Sequence, residues 1–190
     1  MIRILSNIAE IKAGHPFRGK IPEDKDGDAY AIQIRDINED GDIAWNNLVR
    51  TTITGHKVPD WLIKGDVIFA ARGQRNIAGC IGEIRQPTVC APYYFLIKVN
   101  SESEVSPEFL AWQLNQQPAQ RYFLKSAEGS LQMSIRRTVL ESLRLSIPCM
   151  QEQLAIIALN KKVKKEKQVY NALIENRNKQ MQYIARELLS

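Results

Sequence analysis

From Met150 to Ser190 the chain reads MQEQLAIIALNKKVKKEKQVYNALIENRNKQMQYIARELLS, with no Pro or Gly anywhere in the run. Apolar residues recur at Ile156, Leu159, Val163, Tyr170, Leu173, Ile174, Met181, Ile184 and Leu188. That spacing, roughly three and a half residues per turn, predicts one helix with a single apolar stripe. At 1.5 Å per residue it is about 60 Å long, more than a domain of this size can cover. A stripe with nothing at home to bury it calls for a partner helix. Glu166 and Arg177 fall where the spacing asks for apolar residues, so a bundle contact is expected rather than a tight zipper. Lys161, Lys162, Lys164, Lys165 and Lys167 surround Val163. They read first as a solvated face and second as an electrostatic contact with DNA or an acidic partner.

Residues 1–149 are enough for one domain with its own core. Tyr30, Ile32 and Ile34 alternate with Ala31, Gln33 and Arg35, the period of a half-buried strand. Tyr93, Phe95, Ile97 and Val99 alternate likewise, as do Leu143, Leu145 and Ile147 before Pro148. Val67-Ile68-Phe69-Ala70 is apolar throughout and is expected to be covered on both faces. Gly14-His15-Pro16, Asp40-Gly41-Asp42, Lys64-Gly65-Asp66 and Arg72-Gly73 are expected to supply turns. Ser106-Pro107 suits a helix start before Phe109, Leu110, Trp112 and Leu114. Pro118 interrupts, and Ala119–Lys125 resumes. Thr138-Val139-Leu140-Glu141 fits a capping box. The expected class is α+β: a strand-rich mixed domain over 1–149 and one long helix over 150–190.

The net charge is +5, and its distribution matters more than its size. The helical segment carries eight Lys or Arg against four Glu, and the rest of the chain eighteen against seventeen. A nucleic-acid face on the domain therefore has to come from segregated charge. Acids cluster at Glu23-Asp24-Asp26-Asp28 and Glu39-Asp40-Asp42, and arginines elsewhere. No apolar run reaches membrane-spanning length and no signal-peptide core opens the sequence. Cys80, Cys90 and Cys149 are odd in number and lie among apolar residues, which suggests buried thiols and a cytoplasmic location.

No catalytic constellation stands out. His15 and His56 lack partners at ligand spacing, so no metal is expected. Gly14 to Gly19-Lys20 has part of a P-loop's spacing, but Ile21 stands where the magnesium-binding hydroxyl belongs and Pro22 where a helix should begin. Asp66 with Glu83-Ile84-Arg85 is a weak match to a metal-dependent nuclease core, with Arg85 in place of its Lys. The reading is a non-catalytic chain without a cofactor.

Arginine bridges the acceptors of guanine, and Gln or Asn those of adenine. The loop Arg72-Gly73-Gln74-Arg75-Asn76 after the buried strand is the first candidate for such contacts, with Arg35 at another strand end. The second is Ser126–Arg137, where Ser130 and Gln132 offer small donors and Arg136 and Arg137 neutralise phosphate. Arg18 and Lys20 beside Gly19 form a third, weaker clamp. The plain alternative for each is a solvated turn whose arginines pair with nearby acids.

The order of segments is telling. Ile8-Ala9-Glu10-Ile11-Lys12-Ala13-Gly14 with Phe17-Arg18 comes first, then Ile32-Gln33-Ile34-Arg35-Asp36-Ile37 and Gly41-Asp42-Ile43. Ile63-Lys64-Gly65-Asp66-Val67-Ile68-Phe69-Ala70-Ala71-Arg72-Gly73 and Pro107–Asn115 follow, then Gln120, Tyr122-Phe123, Gly129-Ser130 and Gln132. Leu145-Ser146-Ile147-Pro148 leads into Glu152-Gln153 and the long helix. Segment for segment, over nearly the whole chain, this resembles the target recognition domain of type I restriction-modification specificity subunits. The resemblance implies a domain that reads a double-stranded DNA half-site, and a helix that spaces two such domains and docks methyltransferase subunits. Methylation of adenine N6 would belong to those partners, and ATP-driven cleavage to a restriction subunit where one exists. A typical specificity subunit has two recognition domains and two long helices. The sequence here has one of each, which implies a half-subunit acting as a homodimer through its helix, on inverted half-sites. The alternative is a helix-mediated assembly adaptor that never reads DNA. The two readings differ on whether the Arg72–Asn76 and Ser126–Arg137 loops share a face.

Overall fold

A computed structural model describes residues 1–17, 19–54, 58–73, 75–126 and 133–189. The chain divides into two compact units, Met1–Leu154 and Ala155–Ser190. In chain order the strands are β1 (Ile2–Ile4), β2 (Ala9–Ala13), β3 (Ala29–Ile32), β4 (Val49–Thr51), β5 (Val67–Ala70), β6 (Arg72–Gly73), β7 (Ala78–Cys80), β8 (Thr88–Cys90), β9 (Tyr94–Val99), β10 (Met133–Ser134) and β11 (Arg144–Ser146). The α-helices are α1 (Pro107–Leu114), α2 (Gln117–Ser126), α3 (Arg137–Glu141) and α4 (Met150–Leu189). The class is mixed α+β, as expected.

One sheet runs β2-β9-β5-β7, antiparallel throughout. A second runs β4-β3-β8, with β3 parallel to β8. β5 is apolar at every position because its two faces serve two cores. Ile68 and Ala70 join Ala31, Ile32, Val49, Val89, Tyr94 and Leu96 in a core fed by both sheets. Phe69 instead meets Phe123 of α2, with ring centroids 4.8 Å apart.

Two predicted strand patterns hold only in part: Ile32 and Ile97 are buried, but so are Ala29, Ala31, Tyr94 and Leu96, whose neighbours the alternation put inside. Ile34 is not in a strand. It opens a 3-10 turn, Ile34–Asp36, in which Asp36 Oδ2 accepts the Gln33 N–H at 2.8 Å. Ser106 is the N-cap residue of α1 and Pro107 its first residue, as predicted. The capping box at Thr138 does not form. Arg136 is the N-cap residue of α3, and Glu141 pairs with Arg137. Of the cysteines, Cys90 alone is buried, while Cys80 is half-buried and Cys149 exposed.

Side-chain amides close the backbone where the strands stop. Asn115, at the end of α1, accepts the Ala78 N–H and donates to the Ala78 carbonyl, both at 2.8 Å. Gly41, at φ +77°, fits against the same carbonyl, where a Cβ would stand 2.3 Å from the oxygen. Gln153 is fully buried. Its Oε1 accepts the Ser106 N–H at 2.9 Å, and its Nε2 donates to the carbonyls of Glu104 and Pro148 at 2.9 and 3.0 Å. The compact unit thus runs past Cys149 to include the first turn of α4.

The second unit is the rest of α4. Ile156 is half-buried. From Leu159 onward the stripe is exposed, from 49% at Ile184 to 80% at Leu188. No described helix is long and apolar enough to cross a membrane.

Candidate nucleic-acid interface

The chain leaves the buried strand β5 at Ala70 and turns at once into β6. Arg72 is paired with Ser134 of β10 and Gly73 with Met133, in antiparallel register. The Ile135 N–H adds a bond to the Ala71 carbonyl at 2.8 Å. The described flanks of the two candidate loops, Gly73 and Met133, are therefore hydrogen-bonded neighbours. Arg18, Gln74, Ser130 and Gln132 lie outside the described residues.

Arg72 is exposed, and its guanidinium carbon stands 5.9 Å from the centroid of the Tyr93 ring, itself half exposed. A cation over an aromatic face is held without losing its outward donors. Arg75, also exposed, makes an ion pair with Glu39. The two residues flank a hollow of about 280 Å³ whose walls include Ile34, Ile37 and Ile77. Arg35 belongs to the 3-10 turn that supplies one of those walls. It is 63% exposed and its Nε is 3.8 Å from Asp36 Oδ1. Gly73 sits against the Ile34 side chain, at φ +127°. Arg35, Arg72 and Arg75 thus stand on segments in mutual contact. Ion pairs this exposed contribute little to stability and exchange readily for another anion.

Asn76 is a correction to the sequence reading. It is 2% exposed, and its amide donates to the Ala70 carbonyl at 2.8 Å. Its main-chain carbonyl accepts Gln120 Nε2 at 2.7 Å, and the same nitrogen reaches the Leu114 carbonyl at 2.8 Å. Asn76 fastens the root of the loop to the helices and has no amide to offer a base. Tyr94 fastens the 3-10 turn, its hydroxyl donating to the Gln33 carbonyl at 3.0 Å. Burial raises that hydroxyl far above the usual phenol range.

Arg136 lies two residues past the end of β10, after Ile135, and is exposed. Arg137 is tied to Glu141 at 2.6 Å, which leaves its outward donors only partly committed. Lys20 is exposed, on the segment whose Ile21 is anchored in the core between the sheets. Among the described residues no hydrogen bond or ion pair joins it to the ribbon.

The weak nuclease match does not assemble. Asp66 is buried in the turn before β5, where its Oδ2 accepts the Ile63 N–H at 2.9 Å. Burial pushes its carboxyl above the usual range, against the pull of that bond and of Lys98. Glu83 pairs with Lys64 instead, at 2.5 Å. Among the described residues no group of three His, Cys, Asp or Glu could hold a metal ion.

Sequence reading missed Tyr93 and Glu39. Tyr93 looked like an inward strand position, and Glu39 like one of a solvated acidic cluster. Only the fold puts them beside Arg72 and Arg75.

No family model matches the chain, and no curated protein matches it. Solved structures do. The type I restriction-modification system S subunit from M. genitalium aligns with a TM-score of 0.61 and 15% identity, over 94% of this chain and 42% of that one. The HsdS subunit from Thermoanaerobacter tengcongensis aligns at 0.56 and 13%, over 87% and 37%. A chain from a structure concerned with complex assembly and conformational transition of the type I R-M system aligns at 0.55 and 13%, over 87% and 38%. The chain spans about two fifths of the length of these proteins. At such identities the likeness is one of fold: this chain has the fold found in type I restriction-modification S subunits.

Proposed function

We propose that the chain is a DNA recognition unit of a type I-like restriction-modification system. Its strand-rich unit reads a short half-site in double-stranded DNA, and its long helix joins it to a second copy. It directs a partner N6-adenine methyltransferase, and a restriction subunit where one exists, to a bipartite symmetric site. Catalysis belongs to those partners, and this chain needs no cofactor of its own. The observation that carries the reading is the β6–β10 pairing, which draws both arginine-bearing loops to one ribbon beside Tyr93. The shared fold supports it. The adaptor alternative rests on the helix alone and leaves that ribbon without a role.

Two kinds of contact are expected from the ribbon. Arg72 and Arg75 are of the type that reads guanine, and Arg35, Arg136 and Arg137 of the type that neutralises phosphate. Selection of bound sequences from a random duplex pool tests the reading. The expected product is an inverted repeat of two identical half-sites, bound more weakly as salt rises. Arg72→Ala should cost about 1–3 kcal/mol on the selected site and relax the preference at one position. Binding indifferent to sequence and salt would leave the adaptor reading standing.

A further inference from the structure

The exposed stripe of α4 is unbroken only if two charged residues are counted in it. Ile156, Leu159, Val163, Glu166, Tyr170, Leu173, Arg177, Met181, Ile184 and Leu188 follow one another at steps of three or four. Steps of that kind stay on one face of a helix. Glu166 and Arg177 are both exposed and opposite in sign. They stand in the middle of a seam that is otherwise apolar.

Resting on the homodimer reading above, we infer that these two residues set the direction and register of the pairing. The second copy lies antiparallel, with each Glu166 against the other copy's Arg177. In a parallel pair Glu166 would meet Glu166 and Arg177 would meet Arg177, a like-charge contact at both places. In an antiparallel pair about a two-fold axis, one register brings the opposite charges together. It puts the axis midway between Asn171 and Ala172. Tyr170 then faces Leu173 and Leu159 faces Ile184, so apolar pairs lie on either side of each charge pair, while Val163 faces Gln180 and Met181 faces Lys162. In a register slipped by about one turn, Glu166 faces Ile174 and Arg177 faces Val163. Each charge would then be desolvated without a partner, the costly case for a buried ion. A polar residue at a single seam position is a known means of fixing register at some cost in stability.

Charge reversal tests this on the full chain, with sedimentation to read self-association and circular dichroism to check that the helix persists. Glu166→Arg alone and Arg177→Glu alone should each weaken the homodimer by about tenfold or more, because each brings like charges together. The double variant Glu166→Arg/Arg177→Glu should recover wild-type association. An equimolar mixture of the two single variants should also recover it, as a heterodimer that differently tagged copies reveal. Single variants that dimerise like wild type overturn the register and leave the homodimer intact. A wild-type chain that stays monomeric overturns both. A parallel pair would show itself as single variants no weaker than wild type.

Discussion

The two units of this chain use their side chains in opposite ways. In Met1–Leu154 polar side chains are turned inward to complete the backbone, as Asn76, Asn115, Gln120 and Gln153 do. In α4 beyond Ile157 large apolar side chains are turned outward. The first pattern belongs to a unit that finishes its own structure, and the second leaves an apolar stripe in the open. A buried amide left without its partner costs about 1–3 kcal/mol, whereas an exposed aliphatic contributes nothing until a partner covers it and then stabilises the contact. Substitutions in the two regions should therefore fail in different experiments.

The largest effect is expected at Phe69. Phe69→Ala leaves a cavity against Phe123 and should lower the stability of the strand-rich unit by about 3–5 kcal/mol in denaturant titration. Next is Ile174→Asp on the helix. It should abolish dimer formation at micromolar concentration and leave the melting of the strand-rich unit unchanged. A fall in that melting temperature would break the contrast between the units. Gln153→Ala should cost about 1–3 kcal/mol of unfolding free energy, since it strands a backbone N–H and two carbonyls. The smallest effect is expected at the ribbon proposed to meet DNA. Glu39→Gln releases Arg75 without touching the core, so thermal stability should hold. Binding to non-specific duplex should rise a few-fold at low salt, with a salt dependence steeper by about one phosphate contact.

What was legible in the sequence is what local pattern determines. Val67–Ala70, the Ser106-Pro107 helix start and the long helix all announce themselves through composition and spacing. Strands of three residues, such as Val49–Thr51, Ala78–Cys80 and Thr88–Cys90, are too short to show a period. β3 and β9 show a period that understates their burial, because Ile32 and Ile97 are buried on one face and Ala31, Tyr94 and Leu96 on the other. The site was legible as two arginine-bearing loops but not as one place. Gly73 and Met133 lie sixty residues apart in sequence and meet through backbone hydrogen bonds, which carry no residue code. Asn76 was misread because a polar residue in a polar loop gives no sign that its amide is spent on the main chain.

The contact between Asn115 and Ala78 has a consequence for behaviour in solution. β7 ends its sheet, and an open sheet edge is a template on which a stray chain can add itself. The carboxamide of Asn115 takes both of the valences that such an intruder would use at Ala78, and the Gly41 backbone lies over the same point. One side chain thus acts as a seal against unwanted growth of the sheet, and its loss would be felt first as insolubility.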